Sequence, residues 1–423
     1  MKITRSGYSV PTNPNWSLSQ IITPPSQIIN FGMSFGINTG VKVSGDSNYL
    51  VVSARQGQGP PNYFGTVFIY VWNAVTEEFN FQTQLFPPVS VTNDAYGISI
   101  SIDDTGTRLA VSTAPSQSKV YIYSRSGTTW SLEKTITAAD YPAGSSIVVG
   151  GVAGVALDGT GSTLALIVND GSNNYTVSIV DRSGTTWTIG QSISISAGNG
   201  ASFNNNGNYM LISSGEVYFR SGGVYSLQST VNVNGNINGN GDNVISTVIL
   251  PSGGPSPREN TRQVLRNYQR SGTTWTALSP DIEHPEWHGI APIAGWDSEI
   301  AWGAIALQND DGSEVVMPGM NVGPYPPQSG GSGGFFYTNY FVQGFGLLTR
   351  QTANATLNYN DLTRKPDYQR PTPLLGNNAP PGPNYEFTSG DMSNDGSILA
   401  LANSLDNLYV SAGSSGCVYI YKK

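Results

Sequence analysis

The only two histidines of the chain lie in one short segment, beside a glutamate that separates them. His284, Glu286 and His288 alternate along the chain, so an extended backbone would place the three side chains on one side. Two imidazoles and a carboxylate are ligands that Zn²⁺ and other transition metals accept, either within one chain or shared between chains. The alternative is a solvated loop between structural units, because short metal-like motifs also occur where no metal binds.

A series of short acidic turns is the second candidate for chemistry. Ca²⁺ prefers several oxygen ligands, some of them charged, whereas each of these turns carries at most two carboxylates. We therefore expect the Asp and Asn side chains to cap turns, and we expect the fold to need neither Ca²⁺ nor another cofactor. The turns contain Asp46, Asp103 and Asp104, Asp158, Asn204 to Asn206, Asp242 and Asp395.

Nucleophilic catalysis has little support in the residue pattern. Both histidines lie in one segment, which leaves few ways to build a Ser-His-Asp arrangement. Asp310 and Asp311 form an acidic turn that leaves paired-carboxylate chemistry open, with a solvated loop as the alternative. We therefore expect a protein that is not an enzyme, and a carbohydrate-active enzyme is the alternative.

The composition indicates an all-β protein. Charged residues make up 11% of the 423 residues, against about 25% in an ordinary domain, and 50 residues are glycine. The net charge of −8, without any basic run, argues against a nucleic-acid partner. No apolar run is long enough to span a membrane, and the first residues lack the apolar stretch of a secretory signal. Cys417 is the single cysteine, so no intrachain disulfide forms.

A four-strand pattern repeats along the chain. In its clearest copy, residues 98–102 alternate Ile with Ser, a turn follows, and two short apolar segments at 109–111 and 120–123 come next. An Arg-Ser-Gly turn then leads to Trp130, which opens a fourth strand. The phrase RSGTTW recurs at Arg125, Arg182 and Arg270, and it predicts a hairpin with a left-handed glycine and a tryptophan packed between units.

Repeated four-stranded units predict a β-propeller. The last copy ends after its third strand, and the RSG at Arg5 followed by Trp16 would supply the missing fourth. We therefore predict one seven-bladed propeller domain over 1–423, closed by its N-terminal strand. The predicted outer strand of the last blade is 1–30, and the blades are 31–88, 89–140, 141–196, 197–234, 235–282, a degenerate 283–362 with a long insertion, and 363–423.

The repeats resemble the FG-GAP repeat of integrin α-chains and of many phage and bacterial surface proteins. The residues that carry the resemblance are Phe35-Gly36, Tyr96-Gly97, the Leu-Ala-Val strand at 109–111, Ala114-Pro115 and the Val-Tyr-Ile-Tyr strand at 120–123. The resemblance implies an integrin-type propeller. The resemblance is specific for the fold and hardly specific for function, because propellers host many functions.

The resemblance, the fibre-like composition and the missing export signal together predict a structural or receptor-binding protein of a virus particle, such as a phage tail or capsid appendage. Such a protein would be made in the host cytoplasm and would reside in the virion. Its partners would be other virion proteins and host surface polysaccharide, with no nucleic acid and no membrane insertion. A secreted bacterial lectin or adhesin is the alternative of a different class.

Long, irregular loops are predicted to carry partner contacts, because function on a rigid scaffold concentrates in such loops. They cover 55–64, 251–262, 309–334 and 403–416 on one predicted face. Tyr and Arg dominate binding hot spots, so the candidate contact residues are Tyr63, Arg258, Tyr325 and Tyr409.

Overall fold

The computed structural model describes 18 segments of the chain. They are residues 17–24, 29–31, 40–56, 65–89, 91, 94–148, 154–196, 200–231, 235–251, 261–279, 281–283, 297–301, 307–318, 321–325, 345–349, 358–361, 389–403 and 416–423. The described residues form antiparallel β-sheets with one short 3₁₀ helix.

The sheets follow one another along the sequence. The first strands are β1 (Ser17–Ile22) and β2 (Ile29–Phe31). Blade A contains β3 (Val41–Val43), β4 (Tyr49–Gln56), β5 (Thr66–Asn73) and β6 (Glu78–Leu85), and β2 also pairs with β4. Blade B contains β7 (Ile100–Ile102), β8 (Arg108–Ser112), β9 (Lys119–Ser126) and β10 (Thr129–Thr137). The 3₁₀ helix η1 (Ala138–Asp140) follows blade B.

The middle of the chain supplies three further blades. Blade C contains β11 (Ser146–Val148), β12 (Val155–Leu157), β13 (Thr163–Asn169), β14 (Tyr175–Ser183) and β15 (Thr186–Ile195). Blade D contains β16 (Ala201–Phe203), β17 (Tyr209–Ile212), β18 (Glu216–Ser221) and β19 (Val224–Thr230). Blade E contains β20 (Gly235–Ile237), β21 (Asn243–Pro251), β22 (Thr261–Ser271), β23 (Thr274–Ala277) and β24 (Ile282–Glu283).

The remaining strands form two sheets and a two-stranded pair. The pair consists of β25 (Asp297–Ala301) and β28 (Asn321–Tyr325). Sheet F contains β26 (Leu307–Gln308), β27 (Glu314–Pro318), β29 (Phe345–Thr349) and β30 (Asn358–Asp361). Blade G contains β31 (Ser389–Met392), β32 (Ile398–Asn403) and β33 (Cys417–Lys422), and β1 pairs with the outer side of β33.

The fold is a β-propeller of four-stranded antiparallel blades, as the repeat predicts. Blades A to E and blade G are six established blades, so the predicted count of seven is corrected to six. The difference lies in the degenerate unit 283–362, whose strands are split between sheet F and the separate β25–β28 pair. Most side chains of that unit lie outside the described residues.

Hydrophobic cores lie between neighbouring blades. The second strands are buried along almost their whole length, as in β13, because blades cover both faces of the sheet. Outer strands such as β15 alternate between exposed and more buried residues, because one side faces solvent. One core joins blades A and B through Val51, Ile69 and Leu109, and another joins blades G and A through Val52 and Ile420.

The RSGTTW phrase forms the predicted hairpin between the third and fourth strands. In blade B, Ser126 pairs with Thr129, and Gly127 has a φ of 59°, a left-handed conformation that favours glycine. The indole of Trp130 packs edge-on against Tyr49 of blade A, with ring centroids 6.4 Å apart. The prediction of a tryptophan between blades is confirmed here.

Within the described segments, no helix has the length and apolar character needed to cross a membrane.

Candidate functional site

Seven similar turns connect the innermost strand of each sheet to the second strand. The first residue of each turn is buried, and its side-chain oxygen accepts a hydrogen bond from the backbone N–H five residues later. The seven are Ser44, Asp103, Asp158, Asn204, Asn238, Asn309 and Ser393. The predicted turn-capping role is therefore confirmed for Asp103, Asp158 and Asn204, whereas Asp104 and Asn205 make other contacts.

The second residues of the seven turns line one common cavity. These seven positions are Gly45, Asp104, Gly159, Asn205, Gly239, Asp310 and Asn394. Backbone hydrogen bonds join the turns of neighbouring sheets; Asp104 N–H donates to the Gly159 carbonyl at 2.9 Å, and Asp310 N–H donates to the Asn394 carbonyl at 2.8 Å. Further bonds of this kind link the turns of blades A and B, D and E, E and F, and G and A. These bonds place the turns of neighbouring sheets side by side.

Four polar side chains on these turns, those of Asp104, Asn205, Asp310 and Asn394, face one another in two pairs. We call these four residues the axial ring. Asn205 donates from Nδ2 to Oδ2 of Asp310 at 2.7 Å, and Asn394 is hydrogen-bonded to Asp104. The axial ring therefore contains two carboxylates and two carboxamides. Each pair is formed by side chains from different sheets.

Three glycines make room for these polar groups. A Cβ at Gly45 would lie 2.6 Å from Oδ1 of Asp104, and a Cβ at Gly239 would lie 2.6 Å from Oδ1 of Asn205. A Cβ at Gly159 would collide with the carboxylate of Asp104. None of the three glycines needs a left-handed backbone, so their requirement is space.

The two carboxylates of the axial ring are poorly solvated. Burial, with smaller contributions from the negative charges of Asp310, Asp103 and Asp158, raises the pKa of Asp104 to about 6, although the hydrogen bond from Asn394 opposes the shift. Burial also raises the pKa of Asp310, assisted by the charges of Asp311 and Asp395. A positive charge between the two carboxylates would offset the unfavourable free energy of burying their ionised forms.

The residues of the axial ring also line a polar channel of about 190 Å³. Its wall includes residues of the innermost strands β3, β7, β12, β16, β20, β26 and β31. Lys42 and Asp391 form an ion pair in the wall, with Nζ and Oδ1 3.3 Å apart. Oε1 of Gln308, another wall residue, is buried and has no hydrogen-bond partner in the described part of the chain. The channel thus presents polar atoms that a ligand or water could satisfy.

The axial ring fits a hard cation better than the sequence suggested. Each turn alone has too few carboxylates for Ca²⁺, but the fold brings oxygen donors from four turns together. Reading the turns one at a time missed this arrangement. The available signal was the alternation of Gly with Asp or Asn at the second turn position, which recurs at Gly45, Asp104, Gly159 and Asn205.

Most of the sequence-predicted site residues lie outside the described residues. These are Tyr63, Arg258, Tyr409, His284, Glu286 and His288. Tyr325 is the last residue of β28, where its backbone pairs with Asp297, and its side chain lies outside the described part of the structure. The contact and metal roles of these residues stay predictions.

Comparisons with known proteins give structural similarity only. No family model matches the chain, and no curated protein matches it. The FG-GAP assignment therefore has no family match, and the propeller fold is what remains of that resemblance.

Several solved propellers are similar at low identity. A chain of a mitotic checkpoint complex gives a TM-score of 0.46 at 11% identity, covering 100% of this chain and 98% of that chain. A putative 6-phosphogluconolactonase from Bacteroides fragilis gives 0.42 at 9% identity, covering 75% and 82%. A periplasmic gluconolactonase from Pseudomonas aeruginosa gives 0.40 at 14% identity, covering 76% and 88%.

The prediction of a virus-particle protein is wrong on these findings. The similar structures named above are lactonase-like propellers and a checkpoint complex, and none of them is a virion component. The prediction rested on composition and on a repeat resemblance, both of which report how the chain folds. Enzymatic activity is not established by similarity at this level.

Proposed function

We propose that the protein is a ligand-binding propeller that takes up a divalent cation, with Ca²⁺ as the best fit, at the axial ring. The observation that carries the proposal is the convergence of Asp104 and Asp310, two poorly solvated carboxylates from different sheets, beside two carboxamides. Two negative charges match a divalent ion, and carboxylate and amide oxygens are the donors that Ca²⁺ prefers.

Asp104 and Asp310 would bind the ion directly. Asn205 and Asn394 would turn their amide oxygens inward, and backbone carbonyls or water would complete the shell of six to eight oxygens usual for Ca²⁺. The three glycines would keep the carboxylates in place. The proposal makes the axial ring a binding site and assigns no reaction to it.

Isothermal titration calorimetry and thermal unfolding with CaCl₂ and MgCl₂ test the proposal. We expect Ca²⁺ to raise the melting temperature of the natural chain and to bind with a stoichiometry of about one. Asp104→Asn and Asp310→Asn should each weaken binding at least about tenfold, because each removes a charged ligand. Protons compete for the same carboxylates, so binding should weaken as pH falls through about 6.

Two further variants sharpen the test. Asp242→Asn is the matched control, because Asp242 lies in the same kind of turn, accepts a hydrogen bond from Asn238 and is not part of the channel wall. It should bind Ca²⁺ like the natural chain. Gly159→Ala should weaken binding without removing a ligand, because its Cβ displaces Asp104. Equal Ca²⁺ effects in all variants, or no effect in the natural chain, would contradict the proposal.

We also propose that sheet F lies between blades E and G around the axis and that β1 closes the ring. Backbone hydrogen bonds from Asn240 to Asp310 and from Asp310 to Asn394 support this, since they join the turn of sheet F to both of its neighbours. Leu307 of sheet F also shares a core with Leu399 and Leu401 of blade G. On the other side of blade G, Gln20 of β1 exchanges two hydrogen bonds with the backbone of Phe79 in blade A.

A further inference from the structure

Asp94 is an acidic residue in the interior of the propeller that does not belong to the axial ring. It lies in the loop that leads into β7, and its residue surface is 0% exposed. Its backbone is fixed at both ends, because its N–H donates to the Val91 carbonyl at 3.0 Å and its carbonyl accepts from Ala114 N–H at 2.8 Å.

The carboxyl group of Asp94 is not satisfied. Neither of its side-chain oxygens has a hydrogen-bond partner among the described residues. A buried ionised carboxylate without partners is strongly unfavourable, whereas the neutral acid is much less so. The surroundings therefore favour the protonated form.

The titratable groups that face Asp94 come from two elements. Tyr96 follows in the same loop and is fully buried, with its hydroxyl hydrogen-bonded to Tyr123 at 2.9 Å. Tyr121 and Lys119 both lie on β9. The ammonium of Lys119 is the one group among them that favours the ionised carboxylate, and its effect on the pKa of Asp94 is smaller than that of burial.

The backbone around Asp94 leaves little room for adjustment. Ala95 has a φ of 45° and Ser118 a φ of 48°, both in the left-handed region that costs energy for residues other than glycine. The loop also packs on blade A, through the parallel bridge between Gly65 and Tyr96. Asp94 thus cannot reach water without loosening the contact between blades A and B.

We propose that Asp94 is a proton-binding site that couples pH to the junction of blades A and B: the propeller folds with Asp94 as the neutral acid, and ionisation loosens the junction. In support, burial raises the pKa of Asp94 to about 6 from an ordinary value of 3.8, and Lys119 opposes the shift only in part. The folded chain therefore holds this proton more tightly than the unfolded chain.

The direction of the pH effect follows from that difference. Below about pH 4 the carboxyl is protonated in both states and has no effect on stability. Between about pH 4 and 6 the unfolded chain ionises first, so the folded state loses stability as pH rises. A pKa of about 6 in the folded chain against 3.8 in the unfolded chain corresponds to an increase of about 100-fold in the unfolding equilibrium constant, complete above about pH 6.

Urea unfolding of the natural chain and of Asp94→Asn, from pH 4 to 7.5, tests the proposal. The ratio of their unfolding constants should rise about 100-fold over this range, because only the natural chain carries the titrating group. Taking the ratio removes the contribution of every other carboxyl. Asp170→Asn is the control of opposite sign, since the exposed Asp170 accepts hydrogen bonds from Asn174 and Ser172 that lower its pKa.

Three outcomes would overturn the proposal. A ratio that stays constant with pH would show that Asp94 does not titrate in this range. A selective stabilisation of the natural chain over Asp94→Asn by added Ca²⁺, Na⁺ or K⁺ would show that the carboxylate is ionised and paired with a cation. If Asp94→Asn does not fold, Lys119→Met replaces it: the pH midpoint of destabilisation should move upward, and an unchanged midpoint would refute the assignment.

Discussion

Glu133 lies between two arginines and joins blades B and C. Its side chain is 7% exposed, its Oε1 lies 2.7 Å from Nε of Arg182, and its Oε2 lies 3.6 Å from Nε of Arg108. A carboxylate in this position neutralises two charges that would otherwise repel each other across the blade contact. Glu133 is therefore the residue that compensates the positive charges of Arg108 and Arg182.

Replacing Glu133 by Gln should therefore destabilise the protein by about 2–3 kcal/mol, because it leaves two partly buried guanidinium groups without a counter-charge. Urea unfolding at pH 7 measures the loss. Glu78→Gln, an exposed position on the outer strand of blade A, is the control and should change stability by less than about 0.5 kcal/mol. Equal stability of the two variants would contradict the role given to Glu133.

Adjacent aspartates illustrate what sequence patterns predict for single residues. Asp103 caps its own turn, a local interaction that turn chemistry predicts correctly. Asp104, the next residue, belongs to the axial ring, where its neighbours come from blades A and C and from the turn of blade G. Its environment depends on how blades are arranged around the axis, and the pattern of one turn contains no information about that arrangement.

The RSGTTW hairpin is an element that fastens one blade to the preceding one. In blade B the guanidinium of Arg125 lies 4.2 Å from the ring centroid of Tyr49, and the indole of Trp130 donates to Gln82 at 3.2 Å. Blade E repeats the arrangement against blade D with Arg270, Tyr209, Trp275 and Gln228. Two of the three copies of the phrase therefore make the same contact between blades, whereas Arg182 in the copy of blade C pairs with Glu133 of blade B.

Tyr49→Leu and Tyr209→Leu should each cost about 2–4 kcal/mol, because each removes an aromatic pair and a cation–π contact from a buried site. The two sites lie in different blades, so the losses should add in the double variant. Denaturant unfolding of the single and double variants checks both statements. If replacing either tyrosine left the free energy of unfolding unchanged, the two hairpins would not be equivalent.

The propeller itself was predictable because its signals are local and repeated. Strand alternation and turn residues recur in most blades and the RSGTTW phrase recurs in three, so each copy supports the others. The degenerate unit 283–362 lacks these signals, and there the predicted blade became sheet F and the separate β25–β28 pair. The function was not predictable from the same signals, because they specify strands and turns and do not identify a ligand.

Deleting residues 1–22 should destabilise the whole molecule by about 3–5 kcal/mol. The deletion removes β1 from the edge of blade G, the buried Ile22, and both hydrogen bonds between Gln20 and Phe79. Thermal unfolding measures the effect, and Gln20→Ala should reproduce a part of it. A truncated protein with the melting temperature of the full chain would contradict the closing role proposed for β1.

The pairing of β1 with β33 also determines how the molecule would respond to tension. Ser17 lies opposite Lys422, and Ile22 lies opposite Val418. A pull applied at residues 17 and 422 therefore acts on both strands from the same end of the ladder. The hydrogen bonds would then be loaded one after another and break at low force. A pull applied at opposite ends of the ladder, at residues 17 and 418, would load all of them at once. Blade G is thus the point from which a stretched molecule would open.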